Sequence, residues 1–306
     1  MRVGLVGTGY WARNTHGASA ARHPRAQLVG VWGRDSAKAT ALAQEFGVGA
    51  YAEFKNLLDD VDSLTFAVPP DVQAELALVA ARRGKHLLLD KPIALAVEPA
   101  LELERAVADA RVASIVFFTR RFTPETATWL ERVAEVGGWD CGRAEFCANI
   151  AGGPYANSQW RLDKGALWDV APHALSQLWP VMGDVVHVVA GRGRRDQVHL
   201  IVRHSSGASS TVSVSFTVPA PATGNLVYFY GESGRETLPQ HPLDRSQIVM
   251  AHQRALDALL DLAQHTADRH ACDVHLGARI VEVLAAAEQS LATQAAVPLE
   301  LARSPG

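Results

Sequence analysis

The chain has 306 residues, 48% hydrophobic and 20% charged, with 24 Gly and 15 Pro: globular usage that excludes a disordered chain and, by length, predicts two domains. Lys and Arg number 29 against 32 Asp and Glu, so a formal charge of −3 leaves no basic field for binding nucleic acid. No apolar run approaches the roughly 20 residues that cross a bilayer, and Cys141, Cys147 and Cys272 are too scattered for a disulfide framework or a zinc site.

Residues 1–118 alternate short apolar runs with helical patterns, as a parallel α/β sheet requires. The opening MRVGLVGTGYW reads as a strand, Arg2–Val6, entering a glycine turn, and not as a signal peptide. Thr15–Arg22 is the first expected helix and Gln27–Trp32 the second strand. Ser36–Phe46 is an Ala/Leu-rich helix with Gly47 just past its end. Asp62–Val68 and His86–Leu89 read as strands around a helix over Val72–Arg83. Glu98–Ala110 follows as helix and Ser114–Phe118 as strand. Repeated βα units imply right-handed crossovers and a doubly wound sheet of Rossmann type.

After Phe118 the texture changes. Pro124–Val136 has helical periodicity and Arg143–Ile150 a strand pattern, then a Gly/Pro/Asn loop precedes a helix over Ala166–Met182. Period-2 runs follow at Val185–Val189, Val198–His204, Ser210–Val218 and Leu226–Tyr230, predicting a large, mostly antiparallel open sheet with one covered face. Helices near Ser246–Gln264 and Val274–Thr293 close the chain. The expected division is a dinucleotide-binding domain over 1–118 and an α+β domain over 119–306 for substrate binding and oligomerisation.

Gly7-Thr8-Gly9-Tyr10-Trp11-Ala12 is a G-x-G-x-x-A turn placed between the first strand and the first helix. Gly7 permits the tight turn, Gly9 leaves room for a pyrophosphate, and Ala12 lets helix and strand pack closely. Free N–H groups at the helix start then face the phosphates. At the end of the second strand, where a carboxylate would bind the ribose of NAD, the chain reads Trp32-Gly33-Arg34-Asp35-Ser36-Ala37-Lys38. Gly33 takes the carboxylate's place, and Arg34 and Lys38 suit a 2′-phosphate, which favours NADP. Asp35 serves NAD instead if the register slips by two.

Lys91 follows an apolar strand and precedes Pro92 in Gly84-Lys85-His86-Leu87-Leu88-Leu89-Asp90-Lys91-Pro92. That puts it at the carboxyl edge of the sheet, where such folds bind ligands, with its backbone restricted by the proline. With these residues the sequence resembles the Gfo/Idh/MocA oxidoreductase family over essentially its whole length. The resemblance rests on GTGYWA, Val68-Pro69-Pro70, GKHLLLDKP, Arg120-Arg121-Phe122, Trp160-Arg161 and Asp169-Val170-Ala171-Pro172-His173. It implies that Lys91 lies at the nicotinamide and that Val68, Pro69, Asp90 and Arg121 border the cofactor. Trp160 and Arg161 would reach the cofactor from the second domain.

Asp169 and His173 are four residues apart, so on one helix both project from one face. By spacing alone, Asp169 as the cap of a helix starting at Val170 and His173 as a packed histidine is the stronger reading. The matching lysine motif reverses it. By resemblance Lys91, His173 and Asp169 are catalytic, with His173 moving the proton that accompanies hydride transfer. The family's Glu-Lys-Pro is here Asp90-Lys91-Pro92. A glycine-rich run is reduced to Gly165, Ala171 replaces a frequent Gly, and Ser176 a common acid.

His199, His204, His241 and His252 show no convergent partner, and the 12 histidines and 3 cysteines offer no metal spacing. The expectation is a cytoplasmic NADP-dependent oxidoreductase, with NAD possible, acting on the CH–OH or ketone of a sugar, polyol or related small molecule. It is expected to assemble as a homodimer or homotetramer through the second sheet. A reductase of a cyclic diol or imine, and a catalytically silent cofactor-binding sensor of the same fold, remain open.

Overall fold

In the computed structural model, which describes residues 1–241, 243–264 and 269–301, the first βα repeats build one parallel six-stranded sheet. Its strands are β1 (Arg2–Val6), β2 (Gln27–Trp32), β3 (Gly49–Tyr51), β4 (Ser63–Phe66), β5 (His86–Asp90) and β6 (Ser114–Phe117), in the order β3-β2-β1-β4-β5-β6. Helices α1 (Ala18–Ala20), α2 (Ser36–Phe46), α3 (Phe54–Asp60), α4 (Pro70–Arg82) and α5 (Val97–Ala110) connect them. The strand order reverses between β1 and β4, the switch point at which such sheets open a crevice for ligands. Every residue of β4 and β6 is buried, as strands covered on both faces must be.

Local chemistry explains most boundaries. Asp35 caps α2 by accepting from the Lys38 N–H at 3.1 Å, and Gly47 ends it in the left-handed region. The first helix differs from expectation: a π-helical stretch over Ala12–Gly17 leads into α1, so the helical path begins at the glycine turn and not at Thr15. β3 and α3 go beyond the elements that the sequence pattern predicts. β3 has only three residues on the sheet edge, too short a pattern to read.

A second sheet has seven strands: β7 (Trp139–Cys147), β8 (Val185–Arg192), β9 (Val198–His204), β10 (Ser209–Ser215), β11 (Gly224–Gly231), β12 (Gly234–Thr237) and β13 (Val297–Pro298). Their order is β12-β11-β7-β10-β9-β8-β13, and every pairing is antiparallel except the parallel one of β7 with β10. Burial alternates residue by residue along β9, the mark of one covered face. Helices α6 (Pro124–Val136), α7 (Gln159–Asp169) and α8 (Ala171–Met182) belong with this sheet. Leu178 of α8 packs against Gly142 of β7 so closely that a side-chain carbon there would sit 3.0 Å away.

α9 (Arg245–Ala263) and α10 (Val274–Thr293) complete the described chain. It divides into two compact units: residues 1–123 with the described part of 242–278, and residues 124–241 with the described part of 279–306. α9, which the sequence places in the second domain, thus returns to the first unit. Arg25 pairs there with Asp257 at 3.1 Å and Asp261 at 2.7 Å, and His252 reaches Ser19 Oγ at 2.9 Å. No helix among the described residues is long and apolar enough to cross a membrane.

Candidate active site

Gly7 adopts φ +125° where β1 ends, and its N–H donates to the Trp32 carbonyl at 2.8 Å. Only glycine suits this turn, because a side-chain carbon would lie 2.4 Å from the Ala67 carbonyl oxygen. Gly9 is the opposite case: a carbon added there would meet no heavy atom within 4 Å. Ala12 is fully buried and Tyr10 is 40% exposed, while Trp11 is partly buried. Open space beside Gly9, at the start of the helical path, fits the pyrophosphate of a dinucleotide.

Gly33, where β2 ends, faces Thr8 of this turn, with room for no larger residue unless Thr8 moves. Arg34 is exposed, and no ion pair involves it among the described residues. Lys38 turns to Asp35, with Nζ 3.3 Å from Oδ2. Hydrogen bonds from the Lys38 backbone and side chain hold the Asp35 carboxyl below its usual range. Capping α2 therefore commits Asp35 and draws Lys38 to it, leaving Arg34 as the expected phosphate ligand least engaged. Arg245, which no motif marked, donates from Nη2 to the Tyr10 hydroxyl at 2.6 Å.

Val68 and Pro69 are partly buried, and Pro69 precedes the first turn of α4. Past the end of β5, the Lys91 N–H donates to Asp90 Oδ1 at 2.7 Å, and the Lys91–Pro92 peptide is cis. Gln73, 1% exposed, accepts from the Asp90 N–H at 2.8 Å and donates to the Asp90 carbonyl at 2.8 Å. Behind the carboxylate lies a buried chain. His16 Nε2 is 3.8 Å from Asp90 Oδ2, and its Nδ1 is 2.7 Å from Thr65 Oγ1, which lies 3.3 Å from His252 Nε2. Burial pushes His16 down to about 3 and His252 well below the ordinary value, so both rings are neutral near pH 7. His252, expected to be a solvated or core residue without a convergent partner, is in the core, but it has one: its ring centroid lies 4.1 Å from that of His16. His204 also has partners, Gly183 O at 2.9 Å and Ser210 Oγ at 2.7 Å, and is a core residue.

Arg120 and Arg121 lie on a 3-10 turn over Thr119–Phe122, where burial pushes the Arg120 guanidinium down. Burial first, and the Arg121 charge second, lower His270, which stacks on Phe122 with ring planes 8° apart.

In the second unit α7 is broken at Gly165, whose φ of 70° and ψ of −172° are open only to glycine. Trp160 and Arg161 sit in its first turn. The Arg161 guanidinium lies 4.5 Å from the Trp160 ring centroid and 4.5 Å from that of Tyr155, with Nε 3.1 Å from Asp169 Oδ2. Asp169 is 8% exposed and closes α7. The capping alternative is thereby corrected: the cap position before α8 is Val170, with no side-chain cap bond. Val170 keeps helical dihedrals, φ −104° and ψ −40°, and the proline after Ala171 falls in the first turn of α8, where a missing N–H costs least. His173 is partly buried. Its carbonyl accepts from Ser176 Oγ and Gln177 Nε2, both at 3.0 Å. Ser176 is thus a buried helix-bracing residue, and Ala171 is fully buried.

The first unit accordingly gathers Gly7, Gly9, Tyr10, Trp11, Ala12, Gly33, Arg34, Lys38, Val68, Pro69, Asp90, Lys91 and Arg121, and the second Trp160, Arg161, Asp169 and His173. Motif reading missed Gln73, Thr8, His16 and Thr65. The available signal was a polar residue on the apolar stripe Gln73, Ala77, Ala80 of α4.

A doubly wound sheet with this glycine turn at its switch point and a lysine just past the end of β5 is the frame of a nicotinamide-dependent oxidoreductase. The chain belongs to the Gfo/Idh/MocA family: residues 1–118 match its oxidoreductase domain with NAD-binding Rossmann fold, and residues 141–237 match its C-terminal domain. Levoglucosan dehydrogenase of Pseudarthrobacter phenanthrenivorans is 25% identical over 83% of this chain and 77% of its own length. D-xylose 1-dehydrogenase (NADP(+)) 2 of Haloferax volcanii is 28% identical over 72% of this chain and 70% of its own. The myo-inositol dehydrogenase of Lactobacillus casei, solved with NAD(H) and myo-inositol, shares the fold with a TM-score of 0.87. That alignment covers 100% of this chain and 98% of that one at 19% identity.

Proposed function

We propose that this chain is an NADP-dependent dehydrogenase or reductase acting on a secondary alcohol or ketone of a sugar or polyol. The observation that carries the reading is Lys91, on a braced turn at the carboxyl edge of the sheet, in a family whose similar members act on levoglucosan, D-xylose and inositol. A bound nicotinamide would supply or take the hydride. Lys91 holds the reacting oxygen, and His173 takes the proton that the hydroxyl releases as hydride leaves its carbon. Asp169 accepts a hydrogen bond from a neighbouring hydroxyl. Its charge is balanced by Arg161, whose Nε lies 3.1 Å from Asp169 Oδ2. Gly7, Gly9 and Ala12 would cradle the pyrophosphate, and Tyr10, Trp11, Val68, Pro69, Asp90, Arg121, Trp160 and Arg161 are the further residues assigned to the cofactor.

Cofactor preference is part of the proposal. Gly33 presents no carboxylate, Asp35 is committed to capping α2, and exposed Arg34 suits a 2′-phosphate. Assembly through the second sheet completes it: Val189 and Ile201 are paired neighbours on β8 and β9, 41% and 58% exposed. Light scattering should find a dimer or tetramer, and a monomer contradicts that part.

The test is turnover of levoglucosan, D-xylose, myo-inositol and related sugars with NADP⁺ and NAD⁺, read as reduced nicotinamide formed. Reduction with at least one sugar or polyol, faster with NADP⁺, supports the reading. Cofactor binding without turnover across the panel overturns the enzymatic reading in favour of a sensor.

A further inference from the structure

Gln73 is a buried polar group that the reaction as proposed does not use. It lies on α4 among Ala74, Ala77, Ala80 and Ala81, is 1% exposed, and spends its whole amide on one stretch of backbone. Oε1 accepts from the Asp90 N–H at 2.8 Å. Nε2 donates to the Asp90 carbonyl at 2.8 Å, with the Pro92 and Ile93 carbonyls at 3.3 and 3.5 Å. An N–H faces one end of the amide and carbonyls face the other, so the reverse orientation would break both short bonds.

The place of these bonds gives them meaning. β4 pairs with β5 only as far as Leu88, so at Asp90 the side chain of Gln73 continues the ladder that the strand has left. The next residue is Lys91, whose own N–H is tied to Asp90 Oδ1. The Gln73 backbone N–H in turn donates to the Pro69 carbonyl at 2.8 Å, joining the turn after β4 to the turn after β5. A side chain's reach begins at its backbone, and displacement by about 1 Å costs on the order of 100-fold in a reaction that depends on alignment.

We propose that Gln73 is a positioning residue for Lys91, acting through the backbone of Asp90–Ile93; the proposal rests on the assignment of Lys91 to the reaction. Gln73 touches neither substrate nor hydride. Its amide must both donate and accept, a requirement that a glutamate side chain meets only when protonated.

The test uses the full chain with Gln73→Glu, Gln73→Leu, Lys91→Ala and the Gln73→Leu/Lys91→Ala double variant, on whichever panel sugar is turned over. In Gln73→Glu an ionised carboxylate would face three carbonyls, so this variant is expected to lose about tenfold or more in kcat at about pH 8. Measured as a ratio to the unaltered enzyme, its kcat is expected to recover toward about pH 6, with NADPH affinity unchanged within about twofold. Gln73→Leu should lose as much without recovering, and should add little to the loss in Lys91→Ala. Amide hydrogen exchange over residues 86–93 gives a readout free of turnover: the Asp90 amide should exchange faster in Gln73→Leu. If Gln73→Leu does not fold, Gln73→Glu at the lower pH carries the test. A pH-independent ratio near one, or unchanged Asp90 exchange in both variants, overturns the role of Gln73 while loss of activity in Lys91→Ala leaves the lysine assignment standing. Full activity in Lys91→Ala overturns that assignment itself.

Discussion

Arg161 Nε lies 3.1 Å from Asp169 Oδ2, within one unit and with both side chains largely shielded from water. The guanidinium is also flanked by Tyr155 and Trp160. Asp169 therefore has a charge partner from the turn that opens α7. Removing Arg161 takes the charge partner in this pair away from a buried carboxylate. Because neither side chain is fully buried, Arg161→Ala should cost about 2–3 kcal/mol, below the range for wholly buried pairs. Arg161→Lys keeps the charge but loses the planar stacking and should fall between. Urea unfolding of both variants measures this.

Gly165 ties that pair to the backbone. Its φ of 70° with ψ of −172° breaks α7 between Arg161 and Asp169. Gly165→Ala should lose about 1–3 kcal/mol of stability. It should also raise KM for substrate as Asp169 is displaced, with NADPH affinity nearly unchanged. Equal KM in the two proteins would detach this break from the site.

Acid sensitivity follows from the buried rings. His16 is depressed to about 3 by burial, and His252 is depressed by burial and by the neighbouring histidines. Below about pH 6.5 the unfolded chain takes up protons that these folded sites refuse. Stability is full above that value and falls as pH drops toward 3, by up to about 1.4 kcal/mol per unit for each group. His275 acts in the opposite sense: raised by its hydrogen bond to Glu104, it stabilises at low pH and loses that contribution as pH rises. Denaturation midpoints across this range should show a steep acid limb, flattened in His16→Gln.

Cofactor choice is tested at Arg34. Fluorescence titration should show NADPH binding more tightly than NADH, and Arg34→Ala should remove about 1.5–3 kcal/mol of that preference. Lys38→Ala should matter less, since Lys38 is drawn to Asp35. Tighter NADH binding by the unaltered protein would contradict the NADP assignment.

Much of the fold was legible because its signals are local. β1, α6 and α10 have the bounds that hydrophobic period and flanking turns indicate, and Gly47 marks the end of α2. The glycine turn and the Asp90-Lys91-Pro92 segment were legible as motifs for the same reason. What escaped depends on contacts distant in sequence. Gln73 meets Asp90 only when α4 lies beside β5, and His252 meets His16 only because α9 returns to the first unit. The α7–α8 region read as a loop followed by one helix because Gly165 interrupts the periodicity that defines the first of the two.

Lys91 and His173 are proposed to handle the oxygen and the proton that accompany hydride transfer. The most direct measurement is stopped-flow nicotinamide oxidation or reduction, with the sugar turned over, in Lys91→Ala, His173→Ala and the double variant. Each single change should slow hydride transfer by about 10²–10⁴-fold, with cofactor affinity nearly intact. As parts of one relay, the two together should cost less than the sum of their separate barriers. Unaltered hydride-transfer rates in both single variants would remove both residues from the reaction and return His173 to the status of a packed histidine.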